Sequence, residues 1–507
     1  MLETLEQIND AVNTFVWVSI GLFLLIGTGI LMTVLTKVFQ VTHFGLWIKK
    51  TIGSVFHKDI SGHTKDKGAI SQFQSLCTAL AATIGTGNIA GVAAAIAFGS
   101  AGSIFWMWVA AFFGMMTNFS ENVLGIYYRR RNSEGEWSGG AMYYLRDGLG
   151  SKKGMKLVGT ILAVLFSCFA ILASFGIGNM GQVNKIVLNV KEAFPIDAFN
   201  TTLYGEITVY NLILGLMLVI LASIIIVGGL KRIANFAEKI IPFMVAFFLM
   251  GSLVIIFVNI SNVGDAFGAI FRNAFTKKAA WGGAVGVSIK TIVTWGFKRG
   301  VFSNEAGLGS SVMVHSNSNV IEPVQQGMWG IFEVFADTII VCTITALVIL
   351  TSGVVNVETG VMNEGLSDAT LASAAFATVF GAWGKKFIAL CMFMFAFTTI
   401  LGWSHYGAKS FEYLFGTKSV KGYKIFFTLM IVSGAMMTSS IAWDISDTFN
   451  GLMMIPNLIG VIVLSGTVRK ITQNYIDRRL KGKNIEPMIS AIPEIQAEQT
   501  AKLKKEA

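Results

Sequence analysis

Long apolar runs, each about 20 residues and repeated along the whole chain, most limit what this sequence can fold into. As a helix, a run of that length covers the ~30 Å of hydrocarbon in a bilayer. Inside hydrocarbon a segment must satisfy its own backbone. The runs are continuously apolar rather than alternating, which selects helices over barrel strands. Only 13% of the 507 residues are charged, against about a quarter in soluble domains. Most of the surface therefore does not face water. We read eleven spans, at 14–36, 73–98, 103–128, 157–183, 207–229, 236–259, 280–310, 327–352, 384–410, 423–441 and 447–468. The seventh is unusual: it holds Lys290, Lys298, Arg299 and Glu305 and is interrupted by Gly296, Gly300, Gly307 and Gly309.

Basic residues orient the set. Of the 39 Lys and Arg, counting cations near a span's end with the adjoining loop, 31 fall on one side and seven on the other, and Lys290 is left within the seventh span. The seven are Lys185, Lys191, Arg272, Lys277, Lys278, Lys385 and Lys386. Cytoplasmic loops carry the excess, so the C-terminus is expected in the cytoplasm and the N-terminus outside. The opening MLETLEQINDAVN is acidic and lacks the basic start of a cleavable signal, so the first span is expected to stay in place. A net charge of +10 does not imply nucleic acid, because the cations lie between apolar runs instead of on one face. Cys77, Cys168, Cys342 and Cys391 all lie in apolar runs with no disulfide or zinc spacing, and read as small buried residues. The segment from about Lys470 onward is polar and expected to be flexible.

Spans 2–6 and 7–11 share a layout. Each set opens with a glycine-interrupted span. In each, the next span carries buried acid: Glu121 in one, Glu333 and Asp337 in the other. The third member of each ends in a polar stretch, SFGIGNMGQ and TTILGWSHYG. Five spans per set means the sets enter the membrane from opposite sides, an inverted repeat whose two broken spans point to a carrier's site. The division follows: 1–72 as an N-terminal helix and loop, 73–260 and 261–468 as the repeats, 469–507 as a cytoplasmic tail.

The first break reads TALAATIGTGNIAGVAAAI. Its glycines relax the helix and free N–H and C=O groups that need partners in hydrocarbon. Freed N–H groups at a half-helix N-terminus suit a carboxylate; freed carbonyls, with Thr83, Thr86 and Asn88, suit a hard cation such as sodium. Glycines and alanines alone read equally as a close helix crossing. The second break, TWGFKRGVFSNEAGLGSS, carries charges that cannot face lipid. Lys298, Arg299 and Glu305 either line a wet cavity, act as a gate, or sit at the cytoplasmic mouth in an interfacial loop. Asp337 reads as a proton or cation relay, or as the partner of Asn118 or Lys290. His405 reads as a packed neutral ring or a proton carrier.

GTGNIAGVAAAIAFGSAGSIFWMWVAAFFGM at 85–115, WGFKRGVFSNEAGLGSS at 295–311 and SGGAMYYL at 138–145 resemble the alanine or glycine:cation symporters, also called sodium:alanine symporters. The resemblance covers nearly the whole chain. It implies an all-α polytopic protein of a bacterial inner membrane, with a leucine-transporter-like 5+5 inverted repeat preceded by one extra helix. It implies sodium-coupled import of a small neutral amino acid, alanine or glycine, with sodium as the only cofactor. It places the site between spans 2, 4, 7 and 9. Thr86 and Gly87 are nominated for the substrate carboxylate, Gln182 as a polar partner, and Thr399 and Trp403 as the closing wall. Sodium is expected between the carbonyls of Ala81 and Ile84 and the hydroxyls of Thr398 and Thr399, with Thr83 and Asn88 for a second ion. The alternatives are a proton-coupled carrier or one for a larger neutral amino acid such as glutamine. A channel lacks filter motifs. No HExxH, GxSxG or Walker pattern suggests an enzyme or pump. Oligomeric state is not legible.

Overall fold

A computed structural model of the chain describes residues 2–56, 64, 66, 68–205, 207–275, 288–357, 360–437 and 440–506. Among these, eight helices are long and apolar enough to cross a membrane: Glu6–Leu35, Gly102–Tyr127, Lys156–Ala193, Val209–Ile226, Gly229–Val258, Pro323–Thr351, Ala382–Phe415 and Asp444–Val463. They answer to eight of the eleven expected spans. The other three are shorter or broken. The second span is Gln72–Thr83 followed by Ala90–Gly99. The seventh is Ile289–Asn304 followed by Val312–His315. The tenth is the 16-residue helix Val420–Ala435. The expected start of the seventh span, 280–287, and the loop residues Lys277 and Lys278 lie outside the described residues.

Local chemistry makes both breaks. Ser71 and Gln74 cap the first half of the second span, each side chain bonding the other's backbone N–H at 3.1 Å. That helix stops at Thr83 because the Gly85 N–H donates to Asn88 Oδ1 at 3.0 Å instead of to the carbonyl of Ala81. A 3₁₀ turn, Thr86–Asn88, carries the chain to the second half. In the seventh span, Glu305 ends the helix with φ +56° and is followed by Gly307 at φ +93° and Gly309 at φ +74°. Left-handed backbone is ordinary for glycine and uncommon for glutamate, and such residues gather at functional sites.

The breaks lie against each other and against the helix Ala382–Phe415. A Cβ on Gly87 would come within 3.1 Å of the Phe302 ring and 3.2 Å of Ser303 Cα. One on Gly85 would stand 2.4 Å from Thr399 Oγ1, and one on Gly402 2.6 Å from Ala82 Cβ. The glycines thus serve both readings offered by the sequence, close crossing and unwinding, at one place. π turns occur at Phe15–Ile20, Tyr144–Leu149, Gly176–Met180 and Phe335–Cys342, the last carrying Asp337. Such bulges are common at functional sites.

Loops expected on one face do share it. Arg131 pairs with Asp66 at 2.6 Å, Glu192 with Lys385 at 3.1 Å, and Glu322 with Arg478 at 2.5 Å. That last pair corrects the reading of the tail. It is not loose: Ser465–Arg479 and Pro493–Glu506 are helices, Arg478 and Arg479 both hold Glu322, and the Ala491 N–H donates to the Tyr127 carbonyl at 2.8 Å. Low hydropathy hid these anchors because they are ionic and backbone contacts. Cys77, Cys342 and Cys391 are buried as expected, while Cys168 is half-exposed on the helix surface.

Candidate functional site

Between the two breaks lies a small pocket, a cavity of about 10 Å³. All five residues nominated for the substrate line it: Thr86 and Gly87 from the first break, Gln182 from Lys156–Ala193, Thr399 and Trp403 from Ala382–Phe415. Phe302 and Glu305 enter from the seventh span, as does Ile177 from the π turn Gly176–Met180. Asn450 enters from Asp444–Val463, an element that sequence reasoning did not assign to the site. A signal was present there: Asp444, Asp447, Asn450 and Asn457 recur at helical spacing in an apolar run.

The polar atoms of the pocket are incompletely satisfied. Thr86 Oγ1 and Asn450 Oδ1 are buried and have no hydrogen-bond partner. The Thr86 N–H reaches Gln182 Oε1 only at 3.5 Å. Gln182 is oriented by its own amide, which donates to the Ile177 carbonyl at 3.0 Å. Trp403 packs flat over Gly178, where a Cβ would lie 2.4 Å from its ring. Buried polar groups are normally paired, so the open Thr86 and Asn450 oxygens are places for a polar solute. Glu305 is 3% exposed and accepts from Ser310 Oγ at 2.5 Å.

Next to the pocket stand the atoms nominated for sodium. The Ala81 carbonyl has lost its helical donor, because Asn88 takes the Gly85 N–H. Thr398 Oγ1 donates to the carbonyls of Met394 and Phe395 at 3.0 and 2.9 Å, and Thr399 Oγ1 to Phe395 at 3.0 Å. A hydroxyl that donates to its own helix keeps its lone pairs for a cation. Ile84 stands at the end of the broken helix, and its N–H still bonds Leu80 at 2.8 Å. Of the pair suggested for a second ion, Thr83 lines the pocket. Asn88 faces elsewhere, donating to Asp337 Oδ1 at 2.7 Å. No cluster of three or more His, Cys, Asp or Glu suited to a metal occurs among the described residues.

Other nominations move. Asp337 pairs with neither Asn118 nor Lys290; it accepts from Asn88, Ser303 and Thr338 at 2.7 to 2.8 Å. Asn118 belongs to Glu333 instead, at 3.2 Å, and the Lys290 side chain is exposed. Glu121 is held by Asn457 and by the Gly307 N–H. His405 is buried with Asn317 at 3.5 Å. Lys298 is not at the mouth beside the basic loops. It pairs with Asp447 at 2.6 Å and donates to Asn13 Oδ1 at 3.3 Å, so it sits by the N-terminal ends of the first and last spans, on the opposite face. Arg299 stacks over Trp295 and Phe302, 4.9 and 5.5 Å from the ring centres.

Comparison with known proteins matches residues 2–489 to the sodium:alanine symporter family. The sodium/alanine symporter AgcS of Methanococcus maripaludis is 42% identical over 476 residues, 94% of this chain and 98% of that one. The probable sodium/glutamine symporter GlnT of Bacillus subtilis is 34% identical over 486 residues, 96% of this chain and 93% of its own. Among solved structures, a substrate-bound outward-open state of a sodium-coupled sialic acid symporter superposes with a TM-score of 0.51. It is 13% identical and covers 97% of this chain and 96% of its own. At that identity the likeness speaks for the fold, and it is the leucine-transporter-like fold that the sequence implies.

Proposed function

The chain belongs to the sodium:alanine symporter family, and on that premise we propose that it imports alanine or glycine together with sodium by alternating access. It is a multi-pass membrane transporter, not an enzyme, and the family supports amino-acid symport with a cation. The single observation that carries the finer reading is the pocket between the two breaks, lined by all five nominated residues and holding the unpaired Thr86 hydroxyl.

In this reading the substrate carboxylate lies against Thr86 and Gly87, taking backbone N–H groups and the Thr86 hydroxyl. The ammonium faces the acceptors Asn450 Oδ1 and Glu305. Phe302, Ile177 and Trp403 wall in the side chain. At about 10 Å³, room for roughly one water, the cavity is closed in this state, and alanine or glycine needs less opening than glutamine. Sodium sits between the carbonyls of Ala81 and Ile84 and the hydroxyls of Thr398 and Thr399, and its charge balances the carboxylate. Eleven spans, the broken ones included, cross a bacterial inner membrane with the N-terminus outside and the C-terminus in the cytoplasm. The domains are the extra helix with its loop, two five-helix repeats, and the tail. In that orientation the Lys298–Asp447 pair closes the outer side of the pocket. Lys298 is one turn from Phe302 and Asp447 one turn from Asn450.

The test is uptake of radiolabelled alanine into proteoliposomes under an inward sodium gradient, with glycine and glutamine as competitors. Concentrative uptake that potassium does not sustain is expected, blocked by glycine and not by glutamine. Equal uptake in both salts, with no pH gradient, sinks the sodium reading; stronger competition by glutamine sinks the substrate assignment.

A further inference from the structure

A buried histidine–carboxylate pair lies outside the pocket. His315 closes the short helix that follows the second break. Its Nε2 stands 2.9 Å from Glu333 Oε2, and both side chains are fully enclosed. Asn118 donates to the same carboxylate oxygen at 3.2 Å, and Asn122 donates to Asn118 at 2.7 Å. Across the ring, Nδ1 meets the amide nitrogen of Gln326 at 2.5 Å and Ser75 Oγ at 3.4 Å. An amide nitrogen only donates, so Nδ1 accepts in this arrangement. The imidazole is then neutral, with its one proton on Nε2 and aimed at Glu333.

Three buried oxygens of this cluster have no partner: Glu333 Oε1, Gln326 Oε1 and Asn122 Oδ1. All three are acceptors, so the cluster is short of protons rather than short of space. One added proton changes that. If it enters at Nδ1 and the Gln326 amide turns over, the new N–H donates to Gln326 Oε1, and Nε2–H still donates to Glu333. Amide oxygen and nitrogen are nearly equal in size, so the turn needs no repacking. The hydrogen bonds from the Gln326 amide nitrogen to Nδ1 and, at 3.4 Å, to Ser75 Oγ are lost, and the His315–Glu333 pair passes from one negative charge to none.

We propose that His315 and Glu333 form a proton-binding site whose occupancy sets the rate of transport. The location suits that role. Ser75 belongs to the inner half of the second span, His315 follows the break in the seventh, and Glu333 lies on Pro323–Thr351, so the site joins three elements that meet at or beside the pocket. Several titratable groups face it or lie on the elements packed against it. Gly102–Tyr127 brings Glu121, and Arg129 beyond its end holds the carbonyls of Ser316 and Ser318 at 3.2 and 2.6 Å. Gln72–Thr83 brings Cys77. Ala382–Phe415 brings His405 and Lys409, the latter paired with Glu412 at 2.9 Å. Ala382–Phe415 also brings Tyr406, buried near Glu333 and Glu305 with its hydroxyl unpaired; Asp337, on the same helix as Glu333, and Glu305, at the break, lie nearby. Histidine is the one side chain whose ordinary titration falls between about pH 5 and 8.

The effect on rate rests on the carrier reading above; the binding of the proton does not. The test therefore has two parts. Purified protein in lipid nanodiscs, labelled with ¹⁵N-histidine, is titrated by NMR, and His315→Gln identifies the His315 signals among the five histidines. The expected result is passage from an Nε2–H ring to a doubly protonated ring as the pH is lowered, with the midpoint displaced in Glu333→Gln and in Gln326→Leu. Sodium-driven alanine uptake is then measured across the same pH range. A pH-dependent rate in the parent is expected, lost in His315→Gln and displaced in Gln326→Leu. Gln326→Leu keeps the ring in place, so the idea stays testable if His315→Gln fails to fold. A His315 ring that keeps one tautomer throughout overturns the proposal. So do variant uptake profiles that superimpose on the parent's. If the parent carries no amino acid at all, the carrier reading fails, and the titration alone decides whether the pair binds a proton.

Discussion

Thr398 and Thr399 were legible from sequence as hydroxyls in an apolar run, and the structure sets the second of them directly against Gly85. Each oxygen is one of few offered to a hard cation. Thr398→Ala or Thr399→Ala is expected to raise the sodium concentration for half-maximal uptake several-fold, with the protein still in the membrane. Sodium dependence unchanged in both variants would put the ion elsewhere. Gly87 invites a different test. A Cβ there already presses on Phe302 and Ser303, and Gly87→Val adds two methyls at the proposed carboxylate contact. Losing a hydrogen bond to a charged group costs about 1.5–3 kcal/mol, or roughly a tenfold to hundredfold loss of affinity. Binding to monodisperse Gly87→Val protein within a factor of about two of the parent would leave Gly87 a packing residue only. Ile177 was not legible, and the polar stripe that carries Asn450 did not by itself point to the pocket. Only the crossing of distant helices brings both to the pocket.

At the scale of elements, both breaks could be read from glycine spacing, because glycines clustered with polar residues inside an apolar run weaken the helix at that point. What could not be read was their pairing, which depends on contacts between residues some 200 positions apart: Gly87 with Ser303, Asn88 with Asp337. The N-terminal helix also does more than its sequence suggested. Asn13 donates to Asp447 at 3.3 Å and accepts from Lys298 at 3.3 Å, while the Trp17 indole donates to the Asp447 carbonyl at 3.3 Å. The extra helix therefore braces the ion pair beside the pocket. Asp447→Asn should weaken that closure. Thiol labelling of a cysteine at Asn450 from the N-terminal side is expected to be faster in Asp447→Asn than with Asp447 intact, and the charge swap Lys298→Asp with Asp447→Lys should restore the slower rate. Equal labelling in all three would show that the pair is not a gate.

For the molecule as a whole, alternation of basic loops predicted which loops share a face, and the Arg131–Asp66 and Glu322–Arg478 pairs agree. The absolute orientation is a separate matter that membrane-impermeant labelling addresses. A cysteine at Asp10 is expected to react from outside intact cells and one at Lys481 only after permeabilisation; the reverse pattern inverts the assignment. Hydropathy could not foresee the folded tail, since ion pairs and backbone bonds leave no apolar trace. One feature reaches across all these scales. Thr399 lines the pocket and also lies against the break whose carbonyls are nominated for sodium. A residue common to two sites couples their free energies, and such coupling is reciprocal. On the proposed assignment, whatever factor sodium adds to the affinity for the amino acid, the amino acid must return to the affinity for sodium.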